Sequence, residues 1–258
     1  MAVHLREVVG FLDTTLEITK FRDYAPNGLQ VEGSPEVRTV VTGVSANVEL
    51  FARANEMAAD LIVVHHGLIW GSGLPSITGA MARRMKMLLA TDTSLAAYHL
   101  PLDKHPRLGN NTGLADAIAL GPERGAFGDI KGVALGLSGS WATPLSRDEA
   151  IGRIAGGVLN GAQPRFVFPH GPDVVRRIGL CSGEASDMLE AAAAAGCDLF
   201  LTGELAERAG DLAKELQITL VAAGHYATEV YGAQRLAVEL SIKFPTLRCE
   251  FVPVPSPL

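Results

Sequence analysis

The sequence predicts an α/β fold made of two related halves, each with a mostly parallel sheet. Three observations predict it. Short apolar runs alternate with helical stretches, as in proteins whose strands are joined by crossover helices. The same order of elements occurs twice along the 258 residues. Hydrophobic residues make up 48% of the chain and charged residues 19%, which is typical of a globular protein with a sizeable core.

The first half begins with an amphipathic helix, because apolar residues recur at helical spacing from Leu5 to Leu16. The turn Pro26-Asn27-Gly28 then leads into the first strand of the sheet. The predicted strands of this half are 29–32, 39–44, 61–64 and 95–98. The predicted helices are 48–57, 81–90 and one that begins after Asn111.

The second half follows the same plan. Its predicted strands are 133–137, 165–168, 177–181, 199–201 and 219–222, and its predicted helices are 147–154, 187–195, 205–216 and 226–240. Gly196 follows the second of these helices, at a position that favours the left-handed conformation of glycine.

Residues 58–66 align with residues 196–204, with a slip of about one residue, and this alignment indicates an internal duplication. In each segment an aspartate, Asp60 or Asp198, precedes an apolar strand that ends in polar residues. We therefore predict halves 1–126 and 127–258. Since ligands of open α/β sheets bind at the carboxyl ends of strands, we expect a site in the crevice between the halves.

Charge and composition exclude several classes of protein. A formal net charge of −6 argues against nucleic acid as a partner, because phosphate backbones are bound by clustered Lys and Arg. Three scattered cysteines without a CxxC pair suit a reducing compartment. No apolar run approaches the roughly 18–20 residues that span a bilayer. We expect a soluble, cytoplasmic protein that does not bind membranes.

The first chemical signal is the doublet His65-His66, which follows four apolar residues and precedes Gly67. Adjacent side chains on a strand point to opposite faces, so both rings serve one site only if the strand ends there. Gly67 permits such a bend. Neutral imidazole is a common ligand of divalent metals, although a histidine at the rim of a core is often structural.

The second signal is the segment 98–106, in which Pro101 and Pro106 stiffen the chain and disfavour a helix interior. Asp103 is thereby aimed at a fixed point, as an oxygen ligand or a bridging carboxylate. His99 and His105 are competing candidates nearby. We favour His99 as a partner that orients a ligand, and His105 as a surface residue.

The third signal is His225 and Glu229, four residues apart at the start of a helix and hence on one face of it. The pair suits two ligands to one ion, and alone it equally suits a surface hydrogen bond. Together the three signals supply more ligands than one tetrahedral structural zinc uses, and they fit two bridged ions. The predicted ligands are His65, His66, Asp103, His225 and Glu229.

As a set, these motifs resemble the GTP cyclohydrolase I type 2 homologues, the YbgI-like dinuclear metal proteins. The resemblance covers about residues 5–240 and rests on residues 26–30, 63–67, 99–111, 202–204 and 224–229. It implies two similar α/β halves with metals between them, a toroidal homohexamer, and metal ligands at the same five positions. Tyr226 stands where relatives often have His, a departure that affects only a local contact.

Two functions are consistent with these residues. The first is a metal-dependent hydrolase that acts on a nucleotide or similar heterocycle, with Glu204 or His99 as the proton shuttle. The second is a metal carrier or assembly scaffold without turnover. A purely structural site is disfavoured because the set contains no cysteine. Mixed nitrogen and oxygen ligands admit zinc, iron, manganese, nickel or cobalt.

Overall fold

The computed structural model of the protein describes residues 1–71, 73 and 75–257. Its strands are β1 (Val3–His4), β2 (Gly28–Val31), β3 (Glu36–Val37), β4 (Thr39–Ser45), β5 (Leu61–His66), β6 (Ser94–Ala97), β7 (Arg124–Ile130), β8 (Val133–Gly139), β9 (Leu145–Ser146), β10 (Phe166–Pro169), β11 (Val174–Val175), β12 (Ile178–Leu180), β13 (Leu199–Thr202), β14 (Thr219–Ala222) and β15 (Arg248–Phe251).

The helices are α1 (Leu5–Thr15), α2 (Val48–Glu56), α3 (Gly79–Ala90), α4 (Leu100–Lys104), α5 (Asn110–Ala117), α6 (Arg147–Val158), α7 (Leu189–Ala194), α8 (Ala209–Glu215) and α9 (His225–Lys243). Short 3₁₀ helices occur at Ile18–Lys20 and Ser186–Met188. Among the residues described, no helix has the length and apolarity that a bilayer crossing requires.

The chain divides into two compact units, Met1–Leu102 with Gly232–Val254 and Asp103–Tyr231 with Pro255–Leu258. This division differs from the expected halves 1–126 and 127–258, because the last helix and strand join the first unit and the chain enters the second at Asp103. The expected α/β class with parallel strands is confirmed in both units.

The first unit contains a sheet with the strand order β15-β4-β5-β6-β2, in which only the β2 pairing is antiparallel. Its central strand, β5, is apolar and fully buried as far as Val64, as a parallel strand covered on both faces should be. Asn47 caps α2 by accepting a hydrogen bond from the amide of Leu50, at 2.8 Å. Leu50 and Phe51 on this helix pack into the core of the unit.

The second unit contains a sheet with the strand order β10-β14-β13-β12-β8-β7. Strands β12, β13 and β14 are parallel, and β10 runs antiparallel beside β14 just as β2 runs beside β6. Its core includes Ile154 of α6 and the strand residues Leu180, Leu199 and Val221. Ser146 and Glu149 form a capping box that starts α6.

The same pair of hydrogen bonds from backbone amides to an aspartate occurs in both units and explains the aligned aspartates. Asp60 Oδ2 accepts the amides of Arg38 and Thr39, at 2.7 and 2.9 Å. Asp198 Oδ2 accepts the amides of Arg176 and Arg177, at 2.7 and 3.0 Å. Each aspartate thus fixes the start of a neighbouring strand just before its own strand begins, so the similarity of the two segments extends to their hydrogen bonds.

The predicted strands and helices are mostly present. The sheet strand β15 and the two-residue strands β1, β3, β9 and β11 were not predicted, and there are three further differences. Residues 124–130 form β7, an edge strand whose alternation was too weak to predict. The segment around Asp103 is the short helix α4, in which Pro101 lies in the first turn, where its missing amide hydrogen costs nothing. The predicted helix 205–216 begins only at Ala209. Gly196 has the expected left-handed conformation, with φ of +74°.

Candidate metal centre

In the first unit, the strand ends of β5 and β6 bring three histidines together. The ring nitrogens of His65, His66 and His99 lie within 4.8 Å of one another. His65 is fully buried, and its ring centroid lies 4.5 Å from that of His66. Three imidazoles at this spacing are a donor set that first-row divalent metals accept.

The rings of the doublet are held through their Nδ1 atoms. His65 Nδ1 lies 3.0 Å from the carbonyl oxygen of Tyr98, and His66 Nδ1 lies 3.0 Å from Ser45 Oγ. A carbonyl oxygen only accepts, so His65 carries its proton on Nδ1, and Nε2 is its candidate ligand atom. Metal-binding histidines are commonly oriented in this way by their second nitrogen.

His99 is oriented by a carboxylate. Its Nδ1 lies 2.7 Å from Asp23 Oδ1, and Asp23 is also held by Asn27 and by the amides of Tyr24 and Leu100. Burial by itself would raise the pKa of Asp23, but the hydrogen bond and charge of His99, with the bonds from Asn27 and Tyr24, lower it to about 2. An ionised Asp23 therefore keeps the His99 proton on Nδ1.

The motif 26–30 supports the same strand ends. Asn27 Oδ1 accepts the amide of His99 at 2.8 Å, and Gln30 Oε1 accepts the amides of Leu68 and Ile69 at 2.8 and 3.1 Å. Gly67 is required by close packing, since a Cβ there would lie 2.4 Å from Gln30 Oε1. These contacts fix the chain on both sides of the histidines, which explains why an amide and a glycine occur at these positions.

In the second unit, Asp103 is a buried carboxylate, 4% exposed, on α4. Its Oδ1 accepts hydrogen bonds from Asn110 Nδ2 at 2.9 Å and from Ser182 Oγ at 3.0 Å. A carboxylate oxygen of Asp103 also lies within 4.8 Å of one of Glu229. Asp103 is therefore held in place beside a second acidic group.

The first turns of α9 place His225 and Glu229 on one face, as their spacing predicts. His225 Nε2 lies 3.2 Å from Glu229 Oε2, and His225 Nδ1 lies 3.2 Å from Glu204 Oε1. Glycines allow this close approach: a Cβ on Gly183 would lie 2.3 Å from Glu229 Oε1, and one on Gly203 would lie 2.8 Å from the Cα of His225. The second unit thus places two carboxylates, Glu204 and Glu229, beside the imidazole of His225, and Asp103 lies near Glu229.

The donor chemistry of the second unit fits a cation. Asp103 and Glu229 are both nearly inaccessible to solvent and lie close together, and two buried carboxylates repel each other unless positive charge or a proton intervenes. Their charges also reach Cys181, whose pKa is raised mainly by burial and further by Asp103 and Glu229. A divalent ion is the kind of ligand that stabilises such a group.

The structure groups the predicted residues within each unit. His65 and His66 lie with His99 in the first, and Asp103, His225 and Glu229 lie with Glu204 in the second. His105, expected at the surface, is half-buried and accepts the amides of its turn through Nδ1, so its role there is to stabilise the turn.

The sequence analysis did not identify most of the residues that orient the predicted ligands, because most of these residues lie far from the ligands along the chain. These residues are Asp23, Ser45 and Ser182, whereas Asn110 lies only seven positions from Asp103, in a recognised motif, but was given no role. The only signals were the polar residues Asn27 and Asn110 within recognised motifs. Hydrogen bonds that join residues 21–79 positions apart cannot be derived from spacing.

Fold and site together define an α/β protein with His and carboxylate clusters able to bind metal, set at the ends of parallel strands. Comparison with known proteins identifies the family. The family model Duf34/NIF3 (NGG1p interacting factor 3) matches residues 3–257, and the chain belongs to this family.

Three relatives illustrate the similarity. The "GTP cyclohydrolase 1 type 2 homolog" of Pseudomonas aeruginosa is 40% identical over 257 residues and covers 100% of both chains. The protein of that name from Archaeoglobus fulgidus is 43% identical over 234 residues, 91% of each chain. The solved structure of protein ybgI is 36% identical, with a TM-score of 0.90 over 99% of this chain and 100% of that one.

Proposed function

We propose that the protein binds two divalent metal ions through His65, His66, Asp103, His225 and Glu229 and is a hydrolase of a nucleotide or a similar heterocycle. The observation that carries this proposal is the pair of buried, adjacent carboxylates, Asp103 and Glu229. Their position is unfavourable without positive charge or a proton between them, and a divalent cation supplies that charge. The name of the curated relatives, which refers to a cyclohydrolase, supports the substrate class.

Paired divalent cations supply Lewis acidity and make water acidic enough to attack at neutral pH. The chain's own residues provide the remaining functions. Asp23 holds a proton on Nδ1 of His99, so His99 Nε2 is the atom that accepts or returns a proton. Glu204 keeps the ring of His225 in one orientation and is the second candidate for proton transfer.

The first experiment measures metal content and turnover together. Protein purified without chelator should contain close to two ions per chain, and Asp103→Asn should lower both this content and the hydrolysis of a nucleotide panel. Exposed Glu207→Gln is the matched control, since it removes a carboxylate of the same unit outside the cluster. Unchanged metal and turnover in Asp103→Asn would eliminate the proposal.

The alternative is a carrier without turnover, and the rate of metal exchange separates the two. A hydrolase keeps its ions through many turnovers, whereas a carrier gives them up to a competing chelator or an acceptor protein within minutes. Anchored imidazoles favour retention, because the rings already have the orientation that binding requires. Rapid release together with no turnover on any substrate would favour the carrier.

A further inference from the structure

The second unit contains a cavity of about 380 Å³ at the carboxyl ends of two parallel strands. Gly203 and Glu204, which follow β13, line it together with Ala223 and Gly224, which follow β14. Ligands of α/β sheets bind at such strand ends, and the volume is within the range of small-molecule sites. The cavity is therefore placed and sized for a small organic ligand.

Glu204 connects this cavity with the candidate metal ligands. It lines the cavity, and its Oε1 lies 3.2 Å from Nδ1 of His225. His225 in turn lies 3.2 Å from Glu229. A molecule in the cavity that reaches Glu204 is thus one side chain away from a predicted metal ligand.

The walls of the cavity are mainly apolar and include one aromatic ring that solvent reaches. Leu159, Leu205 and Ala227 line it, and so does Phe166 of β10, whose exposed fraction is 51%. A phenylalanine on a strand normally buries its ring, so an exposed ring in a cavity wall offers area for a ligand to cover. Planar rings cover such a surface best, by offset or edge-to-face contact.

A cationic group stands beside this ring. Arg165 lines the cavity, and its Nη1 donates a hydrogen bond to the carbonyl oxygen of Pro257 at 3.1 Å, which orients the guanidinium. A guanidinium presents several donors in one plane and binds phosphate or carboxylate groups in pairs of hydrogen bonds. The cavity therefore combines an aromatic surface, an anion-binding group and the hydrogen-bond acceptor Glu204.

We infer that this cavity is the substrate pocket of the proposed hydrolase and takes a planar ring compound that bears a phosphate or carboxylate. The ring packs on Phe166, the anionic group pairs with Arg165, and an N–H or O–H of the ligand donates to Glu204. The assignment as a substrate pocket rests on the proposed function, whereas binding of such a compound to the cavity does not.

Calorimetric titration of the full chain, with and without added metal, tests the inference with four probes. Guanosine 5′-monophosphate combines a ring with phosphate, 4-aminobenzoate combines a ring with carboxylate, and guanosine and inorganic phosphate each supply one part alone. We expect at least one ring anion to bind about tenfold more tightly than guanosine or phosphate. Which ring anion binds decides between phosphate and carboxylate as the anionic group.

Two substitutions locate the binding. Arg165→Gln should lower the affinity for the ring anion about tenfold and leave the affinity for guanosine unchanged. Phe166→Ala should lower the affinity for both compounds by about three- to tenfold. Exposed Arg176→Gln and Val174→Ala, outside the cavity lining, are the matched controls. Equal binding of phosphate and ring anion, or full affinity in both cavity variants, overturns the inference.

Turnover separates this inference from the proposed function. If a substrate is hydrolysed and KM is the same in wild type, Arg165→Gln and Phe166→Ala, the cavity is not the substrate pocket although the hydrolase proposal holds. If the ring anion binds in the cavity and no substrate is hydrolysed, the binding site holds and the hydrolase proposal does not.

Discussion

The two units share a backbone plan but differ in the ligands that they place at their strand ends. In both, an aspartate, Asp60 or Asp198, fixes the start of a neighbouring strand through two amides. After its central strand, the first unit presents imidazoles and the second presents Glu204, with Asp103 and Glu229 nearby. The two units therefore share a backbone plan but not a donor set, since the first groups imidazoles and the second combines carboxylates with the imidazole of His225.

The largest effect is expected when one predicted metal ligand is removed from each unit. His66→Ala and Glu229→Gln should each lower metal content by at least one ion per chain, measured by elemental analysis after dialysis. In metal-free protein, Glu229→Gln should be as stable as wild type or more so, because it removes repulsion with Asp103. If metal-free Glu229→Gln has a much lower free energy of unfolding than metal-free wild type, Glu229 is a structural residue. Exposed His170→Ala is the control for His66→Ala.

The next test compares the carboxylates that orient the imidazoles. Asp23→Asn in the first unit and Glu204→Gln in the second should each lower metal affinity or activity by about 10–100-fold, because a second partner fixes the ring and its basicity. Metal titration and kcat measured separately show which quantity falls. Exposed Asp148→Asn serves as the control, and wild-type values in Asp23→Asn would remove Asp23 from the site.

A smaller effect is expected on stability from the shared aspartates. Asp60→Ala and Asp198→Ala each remove two charge-assisted hydrogen bonds, so each should lower the free energy of unfolding by about 3 kcal/mol. Denaturant titration measures both. A large loss for one and none for the other would mean that the two devices are not equivalent, and would weaken the case for duplication.

The smallest effect concerns a helix cap found in α6. Ser146→Ala should cost about 1 kcal/mol of unfolding free energy. The hydrogen bonds from Ser146 lower the pKa of Glu149, so the contribution of Glu149 is present above the ordinary carboxyl pKa and is lost as the pH falls through the lowered value. The difference between wild type and Glu149→Gln should therefore shrink in acid. A difference that grows in acid would contradict the assignment.

Much of the fold was predictable because local patterns determine it. The apolar strand before His65 and the helical spacing of His225 and Glu229 both appear in the structure as expected. The edge strand β7 was missed because its residues alternate too weakly, and α4 was missed because Pro101 was read as a helix breaker when it lies in the first turn.

The candidate site divides in the same way. The candidate metal ligands can be recognised from residue type and position at strand ends, but the groups that orient them cannot. Asp23 meets His99 across 76 positions of the chain, and Ser182 meets Asp103 across 79. Such contacts depend on the tertiary arrangement of each unit, which no local pattern in the sequence specifies.

The anchoring of His65 to a main-chain carbonyl has a consequence for how the proposed metal ions would be acquired. Because the main-chain carbonyl of Tyr98 holds the ring, the fold itself orients this imidazole, and a metal ion that binds there would not need to reorient it. Ions that prefer an imidazole held in this orientation would bind more tightly at His65. The cell's supply of metals and the stiffness of one strand end would then jointly determine which element the protein carries.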